Sequence, residues 1–231
     1  MSSGAGDSQR LRLPLVRRLL KRFHPEAIPG RAAAIYNAVS SSRMFRFHYD
    51  LAAEDIVSYC AKGRLLDIGT GPGRLLLKLH QLAPDMSLVG LDASPGMVAQ
   101  AQRNAAEAGL GDAVAVTAGY ANRLPFAEGA FDIVVSTGSL HHWKDPIGGL
   151  NEAHRVLKDE GHALMYDIAS DTPKDVLREM RRRFGWLWPT LFWLHGFQEP
   201  FYKREDFEAL AGDSAFAEGS TKLVGLLCCL V

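Results

Sequence analysis

The stretch Leu65-Leu66-Asp67-Ile68-Gly69-Thr70-Gly71-Pro72-Gly73-Arg74 constrains this chain more than any other. An apolar run ends at an acidic residue, three glycines follow at alternate positions, and an apolar pattern of helical spacing begins at Leu75. Buried strand, tight turn and helix in that order form the opening unit of an α/β sheet. The turn reads G-x-G-x-G. Arg74 stands where a dinucleotide-binding G-x-G-x-x-G would place its third glycine. Gly69 and Gly71 permit positive φ and close approach of the backbone to a ligand. The helix start behind them offers free N–H groups suited to a carboxylate or a phosphate.

From residue 64 onward, strand patterns alternate with helical ones, which predicts a parallel sheet covered on both faces. Strands are expected at Arg64–Ile68, Ser87–Asp92, Ala113–Ala118, Phe131–Ser136 and His162–Ile168. The helix after the glycine turn should bury Leu75, Leu76, Leu79 and Leu82 and end at Pro84. Ser94 caps the next helix, with Pro95 at its first position and Met97, Val98, Ala101, Ala105 and Ala108 inward. Asp145-Pro146 opens another, and Asp159-Glu160-Gly161 reads as a surface turn before the fifth strand. Helices follow near 173–184 and 203–211. Ala217–Leu223 and Leu226–Val231 read as a hairpin turning near Gly225. The expected fold is α/β: a doubly wound, mostly parallel seven-stranded sheet with one antiparallel strand from the C-terminal β-hairpin. Residues 1–60 are expected to form an N-terminal helical arm and substrate lid, with two helices broken around Ser40-Ser41-Ser42 in 31–61. Residues 61–231 form the main domain, with an aromatic insert at 185–200.

A chain of 231 residues, 47% of them hydrophobic, can build one such domain. Lys+Arg and Asp+Glu are both 26, so no net charge draws it toward nucleic acid. Its three cysteines, Cys60, Cys228 and Cys229, form no disulfide framework and point to a reducing, cytoplasmic setting. No apolar run reaches membrane-spanning length, and the N-terminus lacks a signal-peptide core. Arg10, Arg12, Arg17, Arg18, Lys21 and Arg22 interleave with leucines near that end. This pattern fits an interfacial or RNA-contacting helix, and more simply a solvated helix or arm packed by its leucines.

Ligands of open α/β sheets sit beyond the carboxyl ends of the strands. Asp67 ends the first strand there, where a carboxylate could accept from an ammonium group. Asp92 ends the second, a position at which acidic residues take ribose hydroxyls. Either Asp alone could simply hold its own turn. Together with the glycine turn they favour an adenosyl ligand with an amino-acid end.

Several further motifs make the chain resemble the class I S-adenosylmethionine-dependent methyltransferases of small-molecule type, with a seven-stranded Rossmann-like fold. They are Leu65–Gly73, Gly90-Leu91-Asp92-Ala93-Ser94-Pro95-Gly96-Met97, Leu124-Pro125-Phe126, Phe131–Ser136, Leu140-His141-His142-Trp143 with Asp145-Pro146, and Glu152 with Arg155–Lys158. The resemblance covers about residues 60–170. It implies S-adenosyl-L-methionine as cofactor, no metal, and methyl transfer to a small-molecule acceptor; read as a cap, the aromatic insert would make that acceptor aromatic or lipophilic. Asp67, Gly69, Thr70, Gly71 and Gly73 would hold the methionine end. Asp92 would bind the ribose, Ala93 and Met97 would flank the adenine, Tyr120 and Ala121 would lie at its other edge, and Ser136 and Thr137 would lie near the sulfonium. Tyr120 departs from the acidic residue that the family often has at this point.

His141 and His142 follow the fourth strand and are candidates for a general base, or for holding the loop and packing under Trp143. Tyr36, Phe47, Tyr49, Trp186 and Trp193 are candidate acceptor contacts. The aromatic insert fits three readings: a cap on the acceptor, a helix packed on the sheet edge, or a homodimer interface. Two rival functions stand beside methyl transfer. A non-catalytic S-adenosylmethionine-binding partner subunit would keep the fold. An NAD-dependent oxidoreductase would share it, but Arg74 and the lack of a Tyr-x-x-x-Lys pair argue against one.

Overall fold

The apolar run before the glycine turn forms β1 (Gly63–Ile68), and the helical pattern after it forms α2 (Arg74–Leu82). The computed structural model describes residues 36–185 and 201–231. Before β1, residues 36–40 are helical, a turn follows at Ser41-Ser42, and α1 spans Arg43–Tyr59. After α2 come β2 (Met86–Asp92), α3 (Pro95–Glu107), β3 (Val114–Ala118), β4 (Phe131–Thr137), a 3-10 turn at Leu140–His142 and α4 (Pro146–Val156). The chain continues through β5 (Leu157–Ile168), α5 (Lys174–Phe184), α6 (Arg204–Gly212), β6 (Thr221–Val224) and β7 (Leu227–Leu230).

The strands form one sheet in the order β3-β2-β1-β4-β5-β7-β6. β1 through β5 pair in parallel, and β7 runs antiparallel to both β5 and β6. β7 is therefore the one reversed strand, as the hairpin pattern predicts, with Gly225 at φ 62° in its turn. The strand order reverses between β1 and β4, so a crevice opens beyond the C-terminal ends of these strands.

Alternate residues of the central strands feed two cores. Leu65, Ile133 and Val135 pack with Ala52, Ala53 and Ile56 of α1 and with Leu75, Leu76 and Leu79 of α2. Leu66, Ile68 and Val134 pack on the opposite face with Leu150 and Ala153 of α4 and with Phe207 and Leu210 of α6. The strand period of two divides Leu65 from Leu66 in this way. Each buried side chain of this size contributes roughly 1.5–3 kcal/mol, so the two cores together hold the crevice in place. Cys228 and Cys229 are both fully buried in β7.

Three local expectations are corrected. Leu82 is 40% exposed, because it occupies the last residue of α2, where the chain turns out toward Pro84. Ala108 is exposed and Val98 is half-buried, while Gln100 and Asn104 are buried instead. That inner face of α3 meets the polar backbone of the glycine turn rather than the apolar core. Asp159–Gly161 does not separate α4 from its strand, since α4 runs directly into β5. The turn survives as a register shift, with Phe131 opposite Leu157 but Ile133 opposite His162.

Candidate active site

The glycine turn crosses from β1 onto the end of β2. The N–H groups of Gly69 and Thr70 both donate to the Leu91 carbonyl, at 2.7 and 3.0 Å. Gly69 has φ 75°, and a Cβ there would collide with the Ser139 hydroxymethyl group. That hydroxyl donates to the Ile68 carbonyl (3.0 Å), shares a hydrogen bond with Ser136 Oγ (2.7 Å) and accepts from the Trp143 indole (3.1 Å). Ser139 thus ties the loop after β4 to the turn after β1. Gly149 of α4 leaves room for Trp143, whose ring would lie 2.5 Å from a Cβ at that position.

The crevice so framed opens to solvent at the C-terminal ends of β1, β2 and β4. Its walls include Asp67, Gly69, Thr70, Gly71, Asp92, Ala93, Met97, Ala121, Thr137 and His142. Tyr36 and Tyr49 also line it. The fold therefore brings together, in one crevice, residues that lie up to 107 positions apart (Tyr36 to Trp143). Gly119, Ser139 and Trp143 line it as well. Gly119 and Ser139 carry no sequence signal as ligand-facing residues, and only their approach in three dimensions identifies them.

Other expected residues stand behind the wall. Gly73, at φ 75°, packs on α3, with Ala101 Cβ 3.1 Å from where its own Cβ would lie. Ser136 is fully buried and bonded to Ser139. Tyr120 is 51% exposed and forms a bridge with Arg123 outside the crevice. Phe47 stacks on Phe184 of α5 (5.4 Å between centroids) and carries the Arg183 guanidinium over its ring. Trp186 and Trp193 lie outside the described residues, as do the basic N-terminal tract and most of the aromatic insert.

The two histidines separate. His142 lines the crevice. His141 is buried, its Nδ1 2.8 Å from Asp167 Oδ1. The same carboxylate accepts the backbone N–H groups of His141 (2.9 Å) and Ile168 (2.8 Å). Burial alone would raise the Asp167 carboxyl, but the His141 charge and these hydrogen bonds outweigh it and hold it below the ordinary range. The two imidazoles lie 4.0 Å apart, centroid to centroid.

The electrostatics of the crevice discriminate among ligands. Asp67 is 1% exposed, and its Oδ1 has no hydrogen-bond partner among the described residues. Burial pushes its carboxyl up to about 7; the Thr70 hydroxyl opposes the shift and the Asp92 charge reinforces it. Asp92 is also raised, mainly by burial, against hydrogen bonds from the Ser94 and Gly71 amides (both 2.8 Å). Among the described lining residues there is no lysine or arginine. The Gly71 N–H, which would otherwise be free for a phosphate, already donates to Asp92. A dinucleotide pyrophosphate would meet two buried carboxylates and no lysine or arginine among the described walls. A ligand with an ammonium group and a neutral or positive centre fits. Each Asp92 oxygen, having accepted one backbone N–H, retains a lone pair for a hydroxyl.

The Glu152 and Arg155 motif has an architectural role. Arg155 donates to the carbonyls of Leu124 (3.0 Å) and Phe126 (2.8 Å) and pairs with Glu152. Glu152 accepts the Leu124 amide at 2.7 Å. Together they fasten the segment that follows Gly119 and Ala121 onto α4.

Comparison with known proteins agrees with this geometry. A protein-family model described as "Methyltransferase domain" matches residues 66–165. The demethylmenaquinone methyltransferase of Thermus thermophilus is 35% identical over 131 residues, which cover 55% of this chain and 59% of that protein. The ubiquinone/menaquinone biosynthesis C-methyltransferase UbiE of Geotalea uraniireducens is 30% identical over 132 residues, 57% of this chain and 55% of that one. The chain thus spans somewhat over half the length of these curated relatives. Among solved structures, a Methanococcus maripaludis protein described as a proposed S-adenosyl-L-methionine-dependent methyltransferase superposes with a TM-score of 0.69. It is 23% identical, over 90% of this chain and 93% of that one, a likeness of fold.

Proposed function

We propose, from the match of residues 66–165 to a methyltransferase domain, that this chain transfers a methyl group from S-adenosylmethionine to an aromatic or lipophilic small molecule. The observation that carries the reading is the pair of buried carboxylates, Asp67 and Asp92, beside the glycine turn in a crevice with no lysine or arginine among its described walls.

Asp67 would accept from the cofactor ammonium group through its orphaned Oδ1. Asp92 would take the ribose hydroxyls. Ala93, Met97 and Ala121 form the apolar walls suited to a purine, and Thr70 and Thr137 add hydroxyls near the methionine end. When bound, S-adenosylmethionine supplies an electrophilic methyl group on a positively charged sulfur. The remaining work of the protein is alignment. Holding an acceptor in line behind that methyl can be worth roughly 7–11 kcal/mol.

Tyr36, Tyr49 and Trp143 give the crevice an aromatic side, which supports a flat acceptor. The relatives, a demethylmenaquinone methyltransferase and a ubiquinone/menaquinone C-methyltransferase, favour a quinone-like ring. His142 is the side chain best situated to take a proton from an O–H or C–H acceptor, because it lines the crevice while His141 is buried behind it. His141 and Asp167 would then orient the loop that carries it.

Calorimetric titration with S-adenosylmethionine and with NAD tests the cofactor. Transfer of a labelled methyl group to demethylmenaquinone and to simple hydroquinones tests the acceptor. Binding of NAD with no response to S-adenosylmethionine would end the reading. Tight cofactor binding with no labelled product in these assays or in cell extracts would favour a non-catalytic subunit.

A further inference from the structure

Arg74 is the residue that sets this glycine turn apart from a dinucleotide cradle, yet it does not line the crevice. Its Nη2 donates instead to Asn37 Oδ1 at 2.8 Å, and its Nε is buried without a partner among the described residues. The same Asn37 oxygen accepts from Asn104 Nδ2 at 3.1 Å. Asn104 is 4% exposed, donates to the Pro72 carbonyl within the glycine turn (2.7 Å), and accepts from Gln100 (3.0 Å). The polar inner face of α3 thereby acquires a purpose. One amide oxygen from before α1 is held by two donors, one from each helix that flanks the turn.

Asn37 sits in the short helical piece at 36–40, next to Tyr36. Tyr36 lines the crevice, with Cε1 3.7 Å from where a Gly71 Cβ would stand. Its phenol is pushed up to about 12 by burial and by the charges of Asp92 and Asp167. The C-terminal end of the piece is fastened to Asn37 as well. Ser40 Oγ, Ser41 Oγ and the Ser41 N–H all donate to the Asn37 carbonyl, just before the turn at Ser41-Ser42. The piece is thus closed over the glycine turn through the Asn37 side chain and joined to α1 by a turn.

We propose that Asn37 is a positioning residue that locks Tyr36 over the cofactor cradle, with Arg74 and Asn104 as its clamp, and that this contact limits release of bound S-adenosylmethionine. The inference rests on the cofactor reading given above. It assigns Arg74 to closing the site.

The test is the dissociation rate of tritiated S-adenosylmethionine, chased with excess unlabelled cofactor. Asn37→Ala removes the acceptor from both donors, and release should quicken about tenfold, the scale of a lost hydrogen bond to a charged group. Asn37→Asp keeps the shape, still accepts from both donors and adds a charge opposite Arg74, so release should slow. Adding Arg74→Met to Asn37→Asp should abolish the slowing. If Asn37→Ala leaves the rate unchanged, or if Asn37→Asp slows release equally without Arg74, the clamp is wrong. Thermal melting of each variant separates a lost clamp from a lost fold, and the isosteric Asp variant carries the test should the Ala variant melt early. Failure of the unaltered protein to bind the cofactor at all would instead overturn the function, a result distinct from binding with indifferent rates.

Discussion

In the folded chain Asp67 holds a proton more tightly than in the unfolded one, because burial pushes its carboxyl up to about 7 from an ordinary value of 3.8. The sign of the linkage follows. The stability this residue contributes to the empty protein is full below about pH 4 and is lost as pH rises through about 7. A ligand ammonium requires the carboxylate, so affinity should run the opposite way. With a carboxyl near 7 the competent fraction rises about eightfold between pH 6 and 7.5, and the apparent Kd for S-adenosylmethionine should fall by that factor. An α-amino group of pKa about 7.7–8.0 has itself lost roughly a quarter to two-fifths of its protons by pH 7.5, which trims the expected fall to about five- to sixfold. Calorimetry at the two values checks it. Asp67→Asn should flatten the dependence, weaken binding at pH 7.5 and raise the melting temperature of the empty protein at that pH. At this scale the sequence was partly legible. Asp67 and Asp92 announce themselves because a carboxylate at the end of an apolar strand needs a reason. Asn37 and Ser139 carry no such signal, for their importance comes from what folding brings against them across 67 and 71 residues of chain.

The helices and strands were legible where periodicity alone decides them. The Ser94-Pro95 and Asp145-Pro146 starts are real caps, with Ser94 Oγ accepting the Met97 amide and Asp145 accepting that of Gly148. The hairpin at Gly225 likewise follows from local residues. Burial at helix ends was not legible, because a side chain such as Leu82 fits the apolar stripe but extends past the sheet beneath it. Nor was the attachment of α1. Asp55, on its outer turn, accepts from the buried Tyr166 hydroxyl of β5 (2.7 Å) and from Lys222 of β6. One carboxylate thus fastens the helix to two strands at the far edge from β3. Asp55→Ala strands a buried hydroxyl and an ammonium group, and should cost about 1–3 kcal/mol. Urea unfolding should show this as a lower midpoint at unchanged slope. Asp55 lies outside the crevice, so affinity for S-adenosylmethionine should hold within about twofold, on the scale of surface changes. Gly149→Ala should act through the site instead. The added methyl would press on the Trp143 ring and displace its indole from Ser139. Overpacking of this kind costs roughly 1–3 kcal/mol, and here cofactor affinity should fall together with stability.

For the molecule as a whole, strand order and the single reversed strand were readable because alternating strand and helix patterns admit few topologies. Charge distribution was not readable from a net charge of zero. The two acids of the crevice are separated in sequence from the bases that balance them, and only the fold shows that the described walls are acidic and carry no lysine or arginine. This asymmetry yields a prediction that needs neither an acceptor nor an assay of turnover. A ligand that binds only the folded chain stabilises it by about 2.7 kcal/mol at a hundred times its Kd. In a chain of this size each kcal/mol moves the melting temperature by about 2–4 °C. Saturating S-adenosylmethionine should therefore raise the melting temperature by about 5–11 °C. NAD, whose pyrophosphate would lie against Asp92 and find the Gly71 amide already taken, should leave it unmoved at the same concentration. Asp92→Asn replaces one of the two acceptor oxygens by an NH2 donor and removes half the acidic pair. It should lose most of the S-adenosylmethionine shift without creating one for NAD, because the cradle would still lack a cation for the pyrophosphate. Equal shifts with both ligands in the unaltered protein would show that crevice charge does not select the cofactor.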